Sequence, residues 1–91
     1  TSHVVYSDTS IIVMLNKYPY TGGHLLISPR RHLASLDDLD RNESQGLLAL
    51  TQVSVRVLKE AFGPHGFNIG MNLGRVAGAG IADHVHLHVV P

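Results

Sequence analysis

Three histidines alternate with aliphatic residues near the end of the chain, in the run His84-Val85-His86-Leu87-His88-Val89-Val90. Such alternation is typical of a β-strand, in which every second side chain points to the same face of the sheet. The pattern predicts that the imidazoles share one surface, spaced about 6.6 Å apart, while the aliphatic residues between them enter a hydrophobic core. Three imidazoles at this spacing can act together on one small substrate.

Two kinds of chemistry fit such a row. A neutral imidazole can attack phosphorus while its neighbours hold the phosphate oxygens, and His86 is the natural nucleophile because it has a histidine on each side. Alternatively, two histidines of the row can bind zinc if a third ligand, such as His24, comes from another element. No Asp, Glu or Cys is predicted on the same face, so the metal site is the less favoured hypothesis.

The composition limits the classes of protein to consider. With 91 residues the chain makes one small domain, and the absence of cysteine leaves no disulfide framework and no thiolate zinc site. The 7 Lys and Arg residues balance 7 Asp and Glu residues and are scattered, which argues against a nucleic-acid-binding surface. No apolar run has the length of a membrane span, and we expect a cytoplasmic location. Because the sequence lacks an initial Met and stops directly behind the histidine run, we expect it to be truncated at one or both ends.

Patterns upstream predict the elements that position the row. We expect a hairpin from residues 4–6 and 11–15, a third strand at 24–28 and a fourth at 67–73. A short, capped turn of helix is predicted at 35–38. A capping box formed by Asp40 and Glu43 opens a longer helix that ends near Phe62, because Gly63 can adopt a left-handed conformation and Pro64 cannot continue a helix.

These elements predict an α+β fold, with an antiparallel sheet of about five strands and one long and one short helix on one face. The other face is then open, and the polar side chains predicted on it are His24, Asn16, Asn72, His84, His86 and His88. Met14 and Leu26, together with Ile12, are core residues or the floor of a nucleobase pocket on that face.

Several further residues are expected to have no chemical role. His3, His32 and His65 are interpreted as surface or turn histidines, and Arg30 and Arg31 as solvated. The glycine-rich loop at 74–80 is flexible by default, although its backbone N–H groups, including that of Gly80, could surround phosphate oxygens.

The histidine run resembles the signature of the histidine triad (HIT) family, His-φ-His-φ-His-φ-φ, where φ is an apolar residue. The resemblance covers nearly the whole chain through Leu15-Asn16, Gly22-Gly23-His24, Pro29-Arg30-Arg31-His32, residues 68–72 and Ala77-Gly78-Ala79-Gly80-Ile81. The His-Val-Val-Pro ending and the Ala-Gly-Ala-Gly-Ile loop are most similar to the dinucleoside polyphosphate hydrolases and phosphorylases. Gly80-Ile81-Ala82 stands where the phosphoramidase branch commonly has Gly-Gln-Ser, and His88 stands where the nucleotidyl transferase branch has Gln.

The resemblance implies an enzyme that cleaves a dinucleoside polyphosphate, such as diadenosine tetraphosphate, at the α-phosphate through a nucleotidyl intermediate on His86. It further implies a phosphate contact at His88 and supporting roles for His84 and His24. For nucleotide binding it implies the ribose contact Asn16 and the phosphate-contacting amide of Asn72. Met14, Leu26 and Gly80 are further nucleotide-binding candidates because of their predicted positions on the open face and in the glycine-rich loop.

The resemblance also implies partners and leaves alternatives. No cofactor is required by the protein, although a divalent metal can accompany the polyphosphate. Family members are usually homodimers that share a continuous sheet, which suits the wide apolar stripe of the long helix. A nucleoside phosphoramidase of the same fold, and a non-catalytic nucleotide- or metal-binding module, remain open. The preferred base, the polyphosphate length and the acceptor of the nucleotidyl group are not fixed.

Overall fold

The computed structural model describes residues 2–16, 23–74 and 84–91. Its strands are β1 (Ser2–Ser7), β2 (Ile11–Asn16), β3 (Leu25–Pro29), β4 (Asn68–Met71) and β5 (Leu87–Val90), and its long helix is α1 (Arg41–Phe62). The strands form one sheet in the order β1-β2-β3-β5-β4, with antiparallel neighbours throughout. The predicted α+β class with a five-stranded antiparallel sheet is therefore confirmed.

One face of this sheet is open and the other faces α1. Met14 pairs with Leu26, Leu26 with His88, and His88 with Gly70. Paired residues on antiparallel strands point to the same face, so these residues form a row across the open face. The residues that alternate with them join the helix in the hydrophobic core, which contains Ile11, Val13, Leu25, Ile27, Leu47, Leu58, Val85 and Val89.

The histidine strand is shorter than predicted. Its ladder begins at Leu87, and His84 to His86 precede it. The N–H of Val85 donates to the carbonyl of Leu33 at 2.6 Å, so the loop after β3 holds this segment. The alternation nevertheless persists, because Val85 is buried while His84 and His86 are half-buried.

Two other predicted site residues also lie just outside their strands. β3 begins at Leu25, so His24 precedes it, although the N–H of Asn16 still donates to the His24 carbonyl at 2.9 Å. β4 ends at Met71 and leaves Asn72 beyond it. The predicted strands therefore extend one to three residues past the ends of the observed ladders at these points.

The short helix is a single 3₁₀ turn at Leu36–Asp38. Its expected cap is absent, because the Ser35 hydroxyl bonds the side chain of Asp37 and no backbone N–H of the turn. Ser and Asp side chains compete in this way for local partners at turns.

The long helix has both predicted ends. Asp40 accepts a hydrogen bond from the N–H of Glu43 at 2.8 Å, and the Glu43 carboxylate accepts one from the N–H of Asp40 at 2.9 Å, which completes the capping box. At the other end Gly63 is left-handed, with φ 55° and ψ 46°. Gly46 lets the helix approach the sheet closely, since a Cβ there would lie 2.8 Å from Cγ1 of Ile11.

The Glu43 side chain is buried, at 3% exposure, and forms an ion pair that the sequence analysis missed. Arg31 donates from Nε and Nη2 to the two carboxylate oxygens of Glu43, at 2.8 and 2.7 Å. Arg31 is exposed, as the sequence indicated, but it also forms this ion pair. This bidentate contact joins the loop after β3 to the first turn of α1.

Only part of the apolar stripe of α1 is covered by the sheet. Leu48, Val53, Val57 and Phe62 are each more than two-fifths exposed. Such a surface suits a partner subunit, and the homodimer remains a prediction. None of the helices in the described ranges has the length and apolar character that crossing a membrane requires.

We predict a pH-dependent contribution of Glu43 to stability. The hydrogen bonds that its carboxylate accepts, first those from Arg31 and then that from the N–H of Asp40, hold its pKa at about 2, below the ordinary value of 4.5. A carboxyl whose pKa is lower in the folded than in the unfolded state stabilises the fold fully at pH values above its unfolded-state pKa. This stabilisation is lost as the pH falls toward the folded-state pKa. Glu43→Gln keeps a capping side chain but removes the charge, and should lower the Tm at neutral pH by about 4–8 °C.

The measurement is thermal unfolding of both proteins between pH 7 and pH 2. The difference in Tm should be constant above about pH 5 and shrink steadily below it. A difference that does not change with pH would contradict the assignment of the charge. Glu60→Gln, on the exposed side of the same helix, is the matched control and should show no such trend.

Candidate active site

His86 is oriented by a backbone carbonyl of its own segment. Its Nδ1 lies 3.3 Å from the carbonyl oxygen of His84. A carbonyl only accepts hydrogen bonds, so the proton of the neutral ring is on Nδ1 and the lone pair is on Nε2. His86 is half-buried, and its Nε2 is the nitrogen that is left for chemistry.

His84 is anchored by its ring as well as by its backbone. Its Nε2–H donates to the carbonyl of Pro29 at 2.9 Å, across 55 residues of sequence. The ring of His32 packs beside it, with the ring centroids 4.5 Å apart. His32 was interpreted as a surface histidine, and it is exposed, but it contacts the triad; no spacing in the sequence indicated this contact.

His24 and His88 meet across the centre of the open face. Their rings are perpendicular, with centroids 6.3 Å apart. The side-chain amide of Asn16 donates to Nδ1 of His24 at 3.2 Å, so Nε2 of His24 carries the proton. That Nε2 is buried and has no hydrogen-bond partner among the described residues.

The same surroundings keep His24 uncharged. Burial is the main factor that lowers the pKa of His24 from 6.5, and the positive charges that His88 and His86 can carry lower it further. A neutral His24 can donate a hydrogen bond without adding charge repulsion to the cluster.

A cavity of about 340 Å³ lies on the open face beside His84. It is lined by Ile12, Met14, Ser28, Pro29, Arg30 and His84. Of the two interpretations given for Met14 and Ile12, the cavity favours the pocket floor over the core. Leu26 does not line this cavity and instead lies between Met14 and His88 in the row across the sheet.

A second cavity, of about 360 Å³, lies between α1 and the sheet, with Val13, Leu25 and Val57 among its walls. None of the histidines lines it. Its slightly larger volume does not make it the candidate site, because the groups that could do chemistry are on the opposite face of the sheet.

Two predicted nucleotide contacts are less well supported. Asn72 is exposed and directly follows Met71, which pairs with Leu87 at the end of the β4–β5 ladder. Gly80 lies outside the described residues. Within the described ranges, no group of three His, Cys, Asp or Glu side chains is arranged to hold a metal ion.

Comparisons with known proteins agree with this geometry. The profile of the HIT domain matches residues 1–91. The "AP-4-A phosphorylase" of Mycobacterium tuberculosis is 48% identical over 88 residues, which are 97% of this chain and 45% of that protein. An adenosine 5'-monophosphoramidase of Schizosaccharomyces pombe is 32% identical, over 97% of this chain and 63% of that protein.

The fold is also that of a solved structure. The diadenosine triphosphate hydrolase of Plasmodium falciparum, in complex with cyclomarin A, matches with a TM-score of 0.90 and 26% identity, over 98% of this chain and 60% of that one. The chain spans about half the length of the phosphorylase that it matches. From the whole-chain match to the domain profile, the histidine motif and the fold, we conclude that the chain belongs to the HIT domain family.

Proposed function

We propose that the chain cleaves a dinucleoside polyphosphate at an α-phosphate by transferring a nucleotidyl group to His86. One observation carries the proposal: the His84 carbonyl holds the proton of His86 on Nδ1 and leaves the Nε2 lone pair available. A fixed tautomer of this kind is what an imidazole nucleophile needs.

The chemical steps follow from that tautomer. Nε2 of His86 attacks the α-phosphorus, a nitrogen–phosphorus bond forms, and the bond from phosphorus to the bridging oxygen breaks. The leaving group is the remaining nucleoside polyphosphate. An oxygen of water or of inorganic phosphate then attacks the same phosphorus, and the nitrogen–phosphorus bond breaks to free His86.

The neighbouring residues supply binding and charge stabilisation. His88 lies beside Gly70, where a Cβ would be 3.7 Å from its Nε2, and a ring N–H of His88 would stabilise charge that develops on the phosphate oxygens. Neutral His24 accepts a hydrogen bond from Asn16 at Nδ1, and its unpartnered Nε2–H is the group that would donate to the bound phosphate. The cavity beside Met14 and His84 is the proposed base pocket.

The names of the relatives support a nucleotide substrate but differ in the reaction. The phosphorylase is the more similar in sequence, at 48% against 32% for the phosphoramidase. Gly80-Ile81-Ala82 also lacks the serine hydroxyl of the Gly-Gln-Ser that the phosphoramidase branch commonly has at this place. We therefore favour the polyphosphate reaction and keep the phosphoramidase as the second candidate.

His86→Ala should abolish turnover, lowering kcat by more than about 10³-fold, because it removes the attacking atom. His88→Ala should lower kcat by about 10²–10³-fold, since it removes only charge stabilisation. Steady-state kinetics and acid quench with radiolabelled diadenosine tetraphosphate are the measurements, and the label should be trapped on His86. Activity of His86→Ala within tenfold of the wild type, or a wild type that gives no adduct, would contradict the mechanism.

The substrate is tested by analysing products from three incubations of the wild-type protein. Diadenosine tetraphosphate alone, the same compound with inorganic phosphate, and adenosine phosphoramidate are compared by chromatography. Phosphate-dependent release of ADP together with ATP indicates a phosphorylase, and release of AMP with ATP indicates a hydrolase. Faster turnover of the phosphoramidate than of either polyphosphate reaction would replace our proposal by the second candidate.

We predict that His24 titrates below 6.5, because burial opposes its protonation more than any charge does. His88→Gln should raise the pKa of His24 by removing one positive neighbour, but should not restore the ordinary value. NMR titration of the ring resonances is the measurement, and His24→Ala assigns the signal. A pKa of His24 at or above 6.5 in the wild type would show that it is not kept neutral.

A further inference from the structure

The hydroxyl of Ser28 is a buried polar group without a partner. Ser28 is 1% exposed, and its Oγ forms no hydrogen bond with any of the described residues. Buried hydroxyls are nearly always hydrogen-bonded, because an unpaired one keeps the cost of losing water. The unpaired hydroxyl of Ser28 therefore requires a physical explanation.

The location of Ser28 suggests that reason. It pairs with Ile12 across the β2–β3 register and so points to the open face of the sheet. There it lines the cavity of about 340 Å³ that also contacts Met14 and His84. The unpaired hydroxyl is therefore at the wall of the proposed base pocket.

The other walls of this cavity favour a heteroaromatic base over an anion. Ile12, Met14 and Pro29 present apolar surface to it. The Nε2–H of His84 is already donated to the Pro29 carbonyl, and Nη1 of Arg30 is donated to the hydroxyl of Ser7. Apolar walls with one unsatisfied hydroxyl match a flat ring that has a polar atom on its edge.

We propose that the Ser28 hydroxyl hydrogen-bonds the edge of the nucleobase and is a base-selecting residue of this site. The inference rests on the proposed function, which brings a nucleotide to this face. A hydroxyl both donates and accepts, so it can pair with a ring nitrogen or with an exocyclic amino group. It selects bases that carry such a group at this edge and rejects those that do not, because only the former satisfy the buried oxygen.

The experiment is a thermodynamic cycle of base and side chain. Calorimetry gives the Kd of AMP, of its 1-deaza and 7-deaza analogues, and of purine riboside 5'-monophosphate for the wild type and for Ser28→Ala. In the wild type one of the three analogues should bind about tenfold more weakly than AMP. Ser28→Ala should bind AMP about tenfold more weakly and no longer distinguish that analogue.

A second readout separates a binding role from a structural one. Without ligand, Ser28→Ala should have a Tm equal to or above that of the wild type, because the variant lacks an unpaired buried group. Thr51→Val is the matched control, since the Thr51 hydroxyl is buried on the helix and donates to the Leu47 carbonyl at 2.8 Å. This control should lower the Tm and leave the AMP affinity unchanged.

Three results would overturn the proposal. The proposal is wrong if Ser28→Ala binds AMP within twofold of the wild type, or if it keeps the wild-type preference among the analogues. A change in the binding of inorganic tripolyphosphate without a change in base preference would indicate an anion site. If the wild type cleaves diadenosine tetraphosphate while Ser28→Ala keeps the wild-type base preference, only the role of Ser28 is wrong. If the wild type neither binds AMP nor cleaves diadenosine tetraphosphate, the proposed function is wrong as well.

Discussion

The antiparallel pairing of β3 with β5 is the constraint on which the rest of the site depends. It sets Leu26 opposite His88 and Leu25 opposite Val89 in the middle of the sheet. Because side chains alternate along a strand, a slip of one residue would send the histidine to the helix side and the valine to the open face. Burial of Val89 in the core therefore fixes the position of His88 as firmly as any contact within the site.

Within that frame, backbone and amide groups determine which nitrogen of each imidazole is used. The Pro29 carbonyl engages Nε2 of His84, the His84 carbonyl engages Nδ1 of His86, and the Asn16 amide engages Nδ1 of His24. Each contact occupies one nitrogen of a ring, so the proton and the lone pair of that neutral ring have defined positions. A cluster of imidazoles thereby acquires distinct donors and a distinct acceptor without any carboxylate partner in these contacts.

The loop between β3 and α1 connects the stability of the helix to the geometry of the site. Arg31 in this loop bonds Glu43 in the first turn of the helix, and Leu33 two residues later accepts the N–H of Val85. The segment that contains His84 to His86 lies outside the strand ladder, so these contacts replace strand pairing there. A polar contact that sequence reasoning treated as solvent exposure thus supports the approach to the histidine strand.

Sequence patterns were sufficient for the features that depend on near neighbours. The alternation of His86 and His88 with aliphatic residues, the capping box at Asp40 and the stop at Gly63 could be predicted, because each rests on residues within one turn or one strand. Contacts between distant segments became visible only in the folded chain. Three such features depend on how β3 and β5 come together: the contact of His84 with Pro29 across 55 residues, the ring contact of His32 with His84, and the unpaired hydroxyl of Ser28. No local pattern in the sequence indicates that approach.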